Sequence, residues 1–289
     1  MKNPLFTGVC TALVTPFLNG KINFPMVQIF LNRQLDAGIS AVVLAGTTGE
    51  APTLSDEEKL ELVRCAKDHV GNSMTVIAGT GSNDTAHAVE LSQAAQEAGA
   101  DALLIVSPYY NKATPDGLYA HYLSIAHAVS IPIILYNVPS RTSVDIPVSV
   151  YQRLSRIPNI AGVKEASTDI RKITGIRCAC GDGFSVWTGN DDLTVPAIAL
   201  GAKGVISVAS NAVPRQMQDL VLAALDGDMD TASDLQCRLS PLLDLLFCEV
   251  NPIPVKAAMA RIGFDCGPCR MPLSALSPKN AQRLEAFLK

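Results

Sequence analysis

Short runs of apolar, largely β-branched residues alternate along the chain with longer stretches whose apolar positions recur every three to four residues. The first pattern is that of buried strands and the second that of amphipathic helices. The strand-like runs are VCTALVT (9–15), AVVLAG (41–46), TVIAGT (75–80), ALLIVSP (102–108), IPIILYN (131–137), IAGVKEA (160–166), FSVWTG (184–189) and GVISVAS (204–210). Between them stand helix-start signals, such as Ser55-Asp56-Glu57-Glu58 and Asn83-Asp84, and Gly38, Gly99, Gly175 and Gly201 fall where helices are expected to end. Eight such alternations over one chain predict an α/β protein, a closed (β/α)8 TIM barrel over residues 1–227. Beyond it the strand pattern stops, and 228–289 reads as a small C-terminal α-helical domain. An open dinucleotide-binding sheet is the competing architecture, but its phosphate loop is missing: Gly79-Thr80-Gly81-Ser82-Asn83-Asp84 lacks the third glycine.

Composition narrows the class. Of 289 residues, 48% are hydrophobic and 17% charged, with a net charge of −4, which suits a globular enzyme and offers no basic footprint for nucleic acid. No apolar run is long enough for a membrane span. The opening MKNPLFTGVCTALVTPF lacks the pattern of a signal peptide and reads as a first strand, so the expected location is the cytoplasm. Eight cysteines in such a chain are expected to be reduced. Cys266-Gly267-Pro268-Cys269 has the letters of a redox motif but stands near the C-terminus, outside a strand-to-helix junction, and is expected to be a turn carrying two thiols. The four histidines never approach a cysteine pair at metal-ligand spacing, so neither metal nor cofactor is expected.

One residue breaks the strand pattern: Lys164, inside IAGVKEAST (160–168). A lysine is seldom buried unless paired or used, and the plain alternative is a strand-end lysine with its head in solvent. Side chains alternate across a strand, so a Lys164 that points into the barrel sends Glu165 toward the helices and leaves the amine without a neighbouring carboxylate. Ligands bind barrels of this kind at the C-terminal ends of the strands. There the chain places Gly46-Thr47-Thr48-Gly49-Glu50, Tyr109-Tyr110-Asn111, Tyr136-Asn137, Arg141 and Gly189-Asn190-Asp191. Desolvation disfavours an ammonium, and a free amine attacks carbonyls, forming a Schiff base that turns the adjacent carbon into a nucleophile without metal or cofactor. Thr48, Tyr110 and Tyr136 could relay protons, and Arg141 offers a fork for a carboxylate. Taken singly, the threonines are compatible with a turn and the tyrosines with rim packing. Their conjunction on one face is what points to a site.

GTTGE (46–50), YYN (109–111), YNVPSRT (136–142), GVKEAS (162–167) and NPIPVK (251–256), in this order and spacing, resemble the dihydrodipicolinate synthase family over essentially the whole chain. That family lies within the pyruvate-dependent class I aldolases, which also include N-acetylneuraminate lyase. The resemblance implies condensation of pyruvate with L-aspartate-4-semialdehyde in diaminopimelate and lysine biosynthesis. Lys164 would form the Schiff base, Tyr136 would donate and accept protons, and Thr48 would link Tyr136 to Tyr110, which reaches across a dimer interface. Thr47 and Thr48 would bind the pyruvate carboxylate, Gly189 and Ile206 would line the pocket, and Arg141 would hold the carboxylate of the aldehyde. A homotetramer, built as a dimer of dimers, is implied as well. Another pyruvate aldolase or lyase, acting on a sialic or 2-keto-3-deoxy sugar acid, is the second reading, and a non-catalytic keto-acid sensor the third. The SRT segment at 140–142 favours the first.

The resemblance also locates a pocket for the effector L-lysine, at Ala51, Asp56, Lys59, Asn83, His87 and Tyr109. Here Asp56 and Lys59 stand at positions where lysine-inhibited members carry histidines, and His87 where they carry a glutamate. The expectation is weak or absent feedback by L-lysine. Asn190 stands where an aspartate is common, a departure to which the sequence attaches no meaning.

Overall fold

Strand alternation sorts the apolar residues into two cores. The computed structural model describes residues 3–288, with strands β1 (Gly8–Ala12), β2 (Ala41–Leu44), β3 (Thr75–Gly79), β4 (Ala102–Val106), β5 (Ile133–Asn137), β6 (Ile160–Glu165), β7 (Ser185–Thr188) and β8 (Gly204–Ser207). They form one closed parallel barrel, each pairing with its neighbours in sequence, and β1 completes the ring by pairing with β8 (Gly8↔Gly204) and β2 (Cys10↔Ala41). Val42, Val76, Leu103, Leu135, Val163 and Val205 face outward into the core shared with the helices. Cys10, Val43, Ile77, Leu104, Ile134, Tyr136 and Ile206 face inward. Phe6 stacks on Trp187 at 4.7 Å among the inward-facing residues, so the interior is filled rather than open.

The helices are α1 (Phe24–Asp36), α2 (Asp56–Val70), α3 (Thr85–Glu97), α4 (Pro115–Ala128), the short α5 (Pro139–Thr142), α6 (Val148–Leu154), α7 (Arg171–Cys180), α8 (Thr194–Ala199) and α9 (Pro214–Leu225). The start of α2 follows its sequence signal: Ser55 Oγ accepts from Glu58 N at 3.2 Å while Glu58 Oε2 accepts from Ser55 N at 3.0 Å. Past the barrel come α10 (Met229–Leu246), α11 (Ile253–Arg261) and α12 (Pro278–Leu288), with α10 laid against α8 and α9. No helix among the described residues is long and apolar enough to cross a membrane.

Three differences from the sequence reading stand out. Gly175 does not end a helix: it lies within α7, which runs on because Ile173 and Ile176 bury its inner face, and stops at Gly181, where φ is +72°. The strands are shorter than the apolar runs, since only part of each run pairs. The run 204–210, for instance, leaves the ladder at Ser207 and turns as a 3-10 helix at Ala209–Asn211. Cys266 and Cys269 lie in the irregular stretch between α11 and α12 as free thiols, and burial pushes them up to about 12 and about 11, with no helix start there to lower them.

Candidate active site

Lys164 lies on β6 in register with Tyr136 on β5 and Trp187 on β7, and is 5% exposed. Alternation turns Glu165 the other way, where its carboxylate accepts from Asn137 Nδ2 at 2.9 and 3.1 Å, Tyr151 Oη at 3.3 Å and Ser167 N at 2.8 Å. Lys164 thus takes no carboxylate partner among the described residues, and its Nζ sits over the Tyr136 ring, 4.5 Å from the centroid. The carboxylate that acts on it from a distance is Asp191, fully buried after β7, whose Oδ2 accepts from Val208 N and Ala209 N, both at 3.0 Å. Burial raises the Asp191 carboxyl above the ordinary range, while Ser207, those amides and the Lys164 charge oppose the rise. Gly189 is required beside the amine: a Cβ there would stand 2.8 Å from Lys164 Cε and 2.7 Å from Ala166 Cβ. Ile206 is buried in the same inner core as Tyr136.

The loop after β2 is wound tightly, with Ala45 and Glu50 both in the left-handed region at φ +50° and +59°. It is held from three sides. Thr15 Oγ1 donates to Gly49 O at 2.7 Å, Lys256 Nζ meets Glu50 Oε1 at 2.8 Å, and Asn251 Nδ2 donates to Thr48 Oγ1 at 2.9 Å. Thr48 is 2% exposed, and no hydrogen bond among the described residues joins it to Tyr136. Asn190 gains a meaning here: its Nδ2 donates to Ser167 O at 2.9 Å, a bond an aspartate could not make, and so ties the loop after β7 to the one after β6.

A cavity of about 700 Å³ opens at this end of the barrel. Thr47, Tyr136, Val138 and Arg141 line it, and so do Ala51, Asp56, Lys59, Asn83, His87 and Tyr109, so the two groups of sequence candidates share one space. Arg141, on α5, is exposed and takes no ion-pair partner among the described residues. Asp56 accepts from Lys59 Nζ at 2.9 Å and His87 Nε2 at 2.7 Å; against desolvation, these bonds hold its carboxyl below the usual range. Lys164, Thr48, Gly189 and Ile206 are not on the cavity wall, Lys164 being covered by the Tyr136 ring. Tyr110 stands apart from them: 90% exposed, φ +72°, its ring outside the cavity.

The strand pattern places Glu50 and Asp191 at the strand ends without giving either a role, and it does not reach Asn251 or Lys256. Lys256 carried the same signal as Lys164, a lysine within an apolar segment. Asn251 opens the NPIPVK motif, but its place beside Thr48 carried no signal, because only the folded chain brings the two together.

The model of the Dihydrodipicolinate synthetase family matches residues 5–289. A 4-hydroxy-tetrahydrodipicolinate synthase of Thermoanaerobacter sp. (strain X514) is 46% identical over 286 residues, covering 99% of this chain and 96% of the relative. The crystal structure of dihydrodipicolinate synthase from Aquifex aeolicus matches with a TM-score of 0.96 at 44% identity, over 98% of this chain and 97% of the other. That of the chloride-inhibited dihydrodipicolinate synthase from Acinetobacter baumannii, complexed with pyruvate, matches at 0.96 and 39% identity, over 98% of each chain.

Proposed function

This chain belongs to the dihydrodipicolinate synthetase family, and on that premise we propose that it acts as a 4-hydroxy-tetrahydrodipicolinate synthase, a lyase of the class I aldolase type that condenses pyruvate with L-aspartate-4-semialdehyde. The observation that carries the proposal is Lys164, an amine inside a barrel mouth with no carboxylate partner among the described residues and a phenol ring against it. The amine attacks the keto carbon of pyruvate and water leaves, giving a protonated imine. A proton then leaves the methyl carbon, and the enamine attacks the aldehyde carbon, whose oxygen takes up a proton. The acceptor's own amino group next displaces the lysine from the imine carbon, closing the ring and freeing Lys164.

Tyr136, beside the amine, supplies and removes the protons, with Thr48 as the link to Tyr110. Thr47 and Thr48, in the wound loop after β2, receive the pyruvate carboxylate, and Gly189 and Ile206 shape the space around it. Arg141, unpaired on the cavity wall, receives the carboxylate of the aldehyde. A Tyr110 side chain exposed to this degree fits a subunit that lends its phenol to a neighbour, in a homotetramer built as a dimer of dimers. We place the enzyme in the cytoplasm, at the first committed step toward diaminopimelate and lysine, and take 1–227 as its catalytic barrel and 228–289 as a helical domain.

Pyruvate consumption tests the reading, measured for wild type and Arg141→Ala with L-aspartate-4-semialdehyde or N-acetylmannosamine as acceptor. Turnover with the semialdehyde alone, falling by about a hundredfold or more in the variant, is the expected result. Turnover with the sugar instead would keep Lys164 and the barrel but assign the chain to the sugar-acid lyases. If borohydride fails to trap pyruvate on Lys164, the imine chemistry itself is excluded.

A further inference from the structure

Asn251 opens the NPIPVK segment beyond the barrel, yet its side chain is buried against a residue 203 positions earlier, donating from Nδ2 to Thr48 Oγ1 at 2.9 Å. Its Oδ1 is enclosed without a hydrogen-bond partner among the described residues. A buried amide with one half unsatisfied is a poor packing element, and such groups mark positions held for another reason.

The donor direction of this bond matters. A threonine hydroxyl has one proton to give and two lone pairs with which to receive. Once the Asn251 N–H occupies one lone pair, Thr48 keeps a single donor and a single acceptor place. Set between two phenols it can then stand only head to tail, receiving from one and giving to the other. With both lone pairs free it could accept from both phenols at once, and in that arrangement no proton passes through it.

We infer that Asn251 is a positioning residue that orients the Thr48 hydroxyl so that it hands a proton between Tyr136 and the Tyr110 phenol that a neighbouring subunit lends. During transfer a new O–H bond forms at Thr48 Oγ1 as the original one breaks. One phenol gains the proton that the other loses, and Asn251 keeps both of its own. The inference rests on the synthase reading of Lys164, Tyr136 and Thr48.

Steady-state kinetics with pyruvate and L-aspartate-4-semialdehyde test it, on wild type, Asn251→Ala and Asn251→Asp, each also in a Thr48→Val background, with borohydride trapping of pyruvate run in parallel. An ionised aspartate only accepts, so it draws the Thr48 proton to itself and breaks the chain. The expected kcat falls by about tenfold in Asn251→Ala and about a hundredfold in Asn251→Asp, with KM for pyruvate within about threefold of wild type and trapping retained. In the Thr48→Val background neither change lowers kcat further. A kcat for Asn251→Asp equal to wild type overturns the inference. So does a loss that is equal in both variants, tracks a lowered Tm and persists in full without the Thr48 hydroxyl. Failure of the wild type to trap pyruvate overturns the site reading instead, and is recognised without any Asn251 variant.

Discussion

Asp56 decides what the outer cavity can hold. It is the one carboxylate on the wall among the described residues, and Lys59 and His87 already occupy both of its oxygens. A diamino acid entering there would meet a lysine ammonium and no free anion, so charge opposes it. L-Lysine at about 1 mM is expected to leave the initial rate of condensation unchanged, and complete inhibition below that concentration would disprove the argument. At this scale the sequence was legible wherever a residue departs from its surroundings. Lys164 stands out in an apolar run, and strand alternation sets it and Glu165 on opposite faces, but which of the two faces inward is decided by the closed barrel. The resemblance set Asp56 and His87 in one pocket, but that they pair with each other was not legible, because they are 31 positions apart on different helices.

The loop after β2 depends on elements that lie far along the chain. Glu50, at φ +59°, is held by Lys256 from α11 and by Arg270 N at 2.8 Å, while Lys256 also donates to Thr15 O and Pro268 O. Both side chains of the pair are buried, so removal of one leaves an uncompensated charge in a dry site. Lys256→Met or Glu50→Gln alone is expected to cost roughly 3–5 kcal/mol in urea unfolding, and the double variant less than the sum of the two. Additive losses would show that the two groups do not sense each other. The strands and the barrel were readable because every βα unit repeats the same alternation. The grip of α11 on a loop after the second strand was not, since no local pattern records which distant element closes over a site. The misplaced end at Gly175 has the same origin, because packing of α7 overrides a local signal.

For the molecule as a whole, His121 makes one contribution to how stability depends on pH. It is buried on α4, with Nδ1 at 2.9 Å from Thr85 Oγ1 and Nε2 without a partner among the described residues, and desolvation lowers its pKa from 6.5 to about 4, the Asp84 charge opposing. Between those values the unfolded chain binds the proton and the folded one does not. Stability from this group is therefore full above about pH 6.5 and is lost as pH falls through about 4, by on the order of 3 kcal/mol in total. Urea midpoints at pH 7 and 4.5 should differ less for His121→Leu than for wild type; an unchanged difference would refute the assignment. The closure of the barrel has a consequence for synthesis. β1 takes β8 as its neighbour through Gly8↔Gly204, and Thr48 receives its bond from Asn251. A nascent chain therefore cannot complete the ring until Ser207 has left the ribosome, nor anchor the loop after β2 until Asn251 has followed it. Until the ring closes β1 has no strand on one side, and the growing polypeptide must be kept from pairing that edge with another chain.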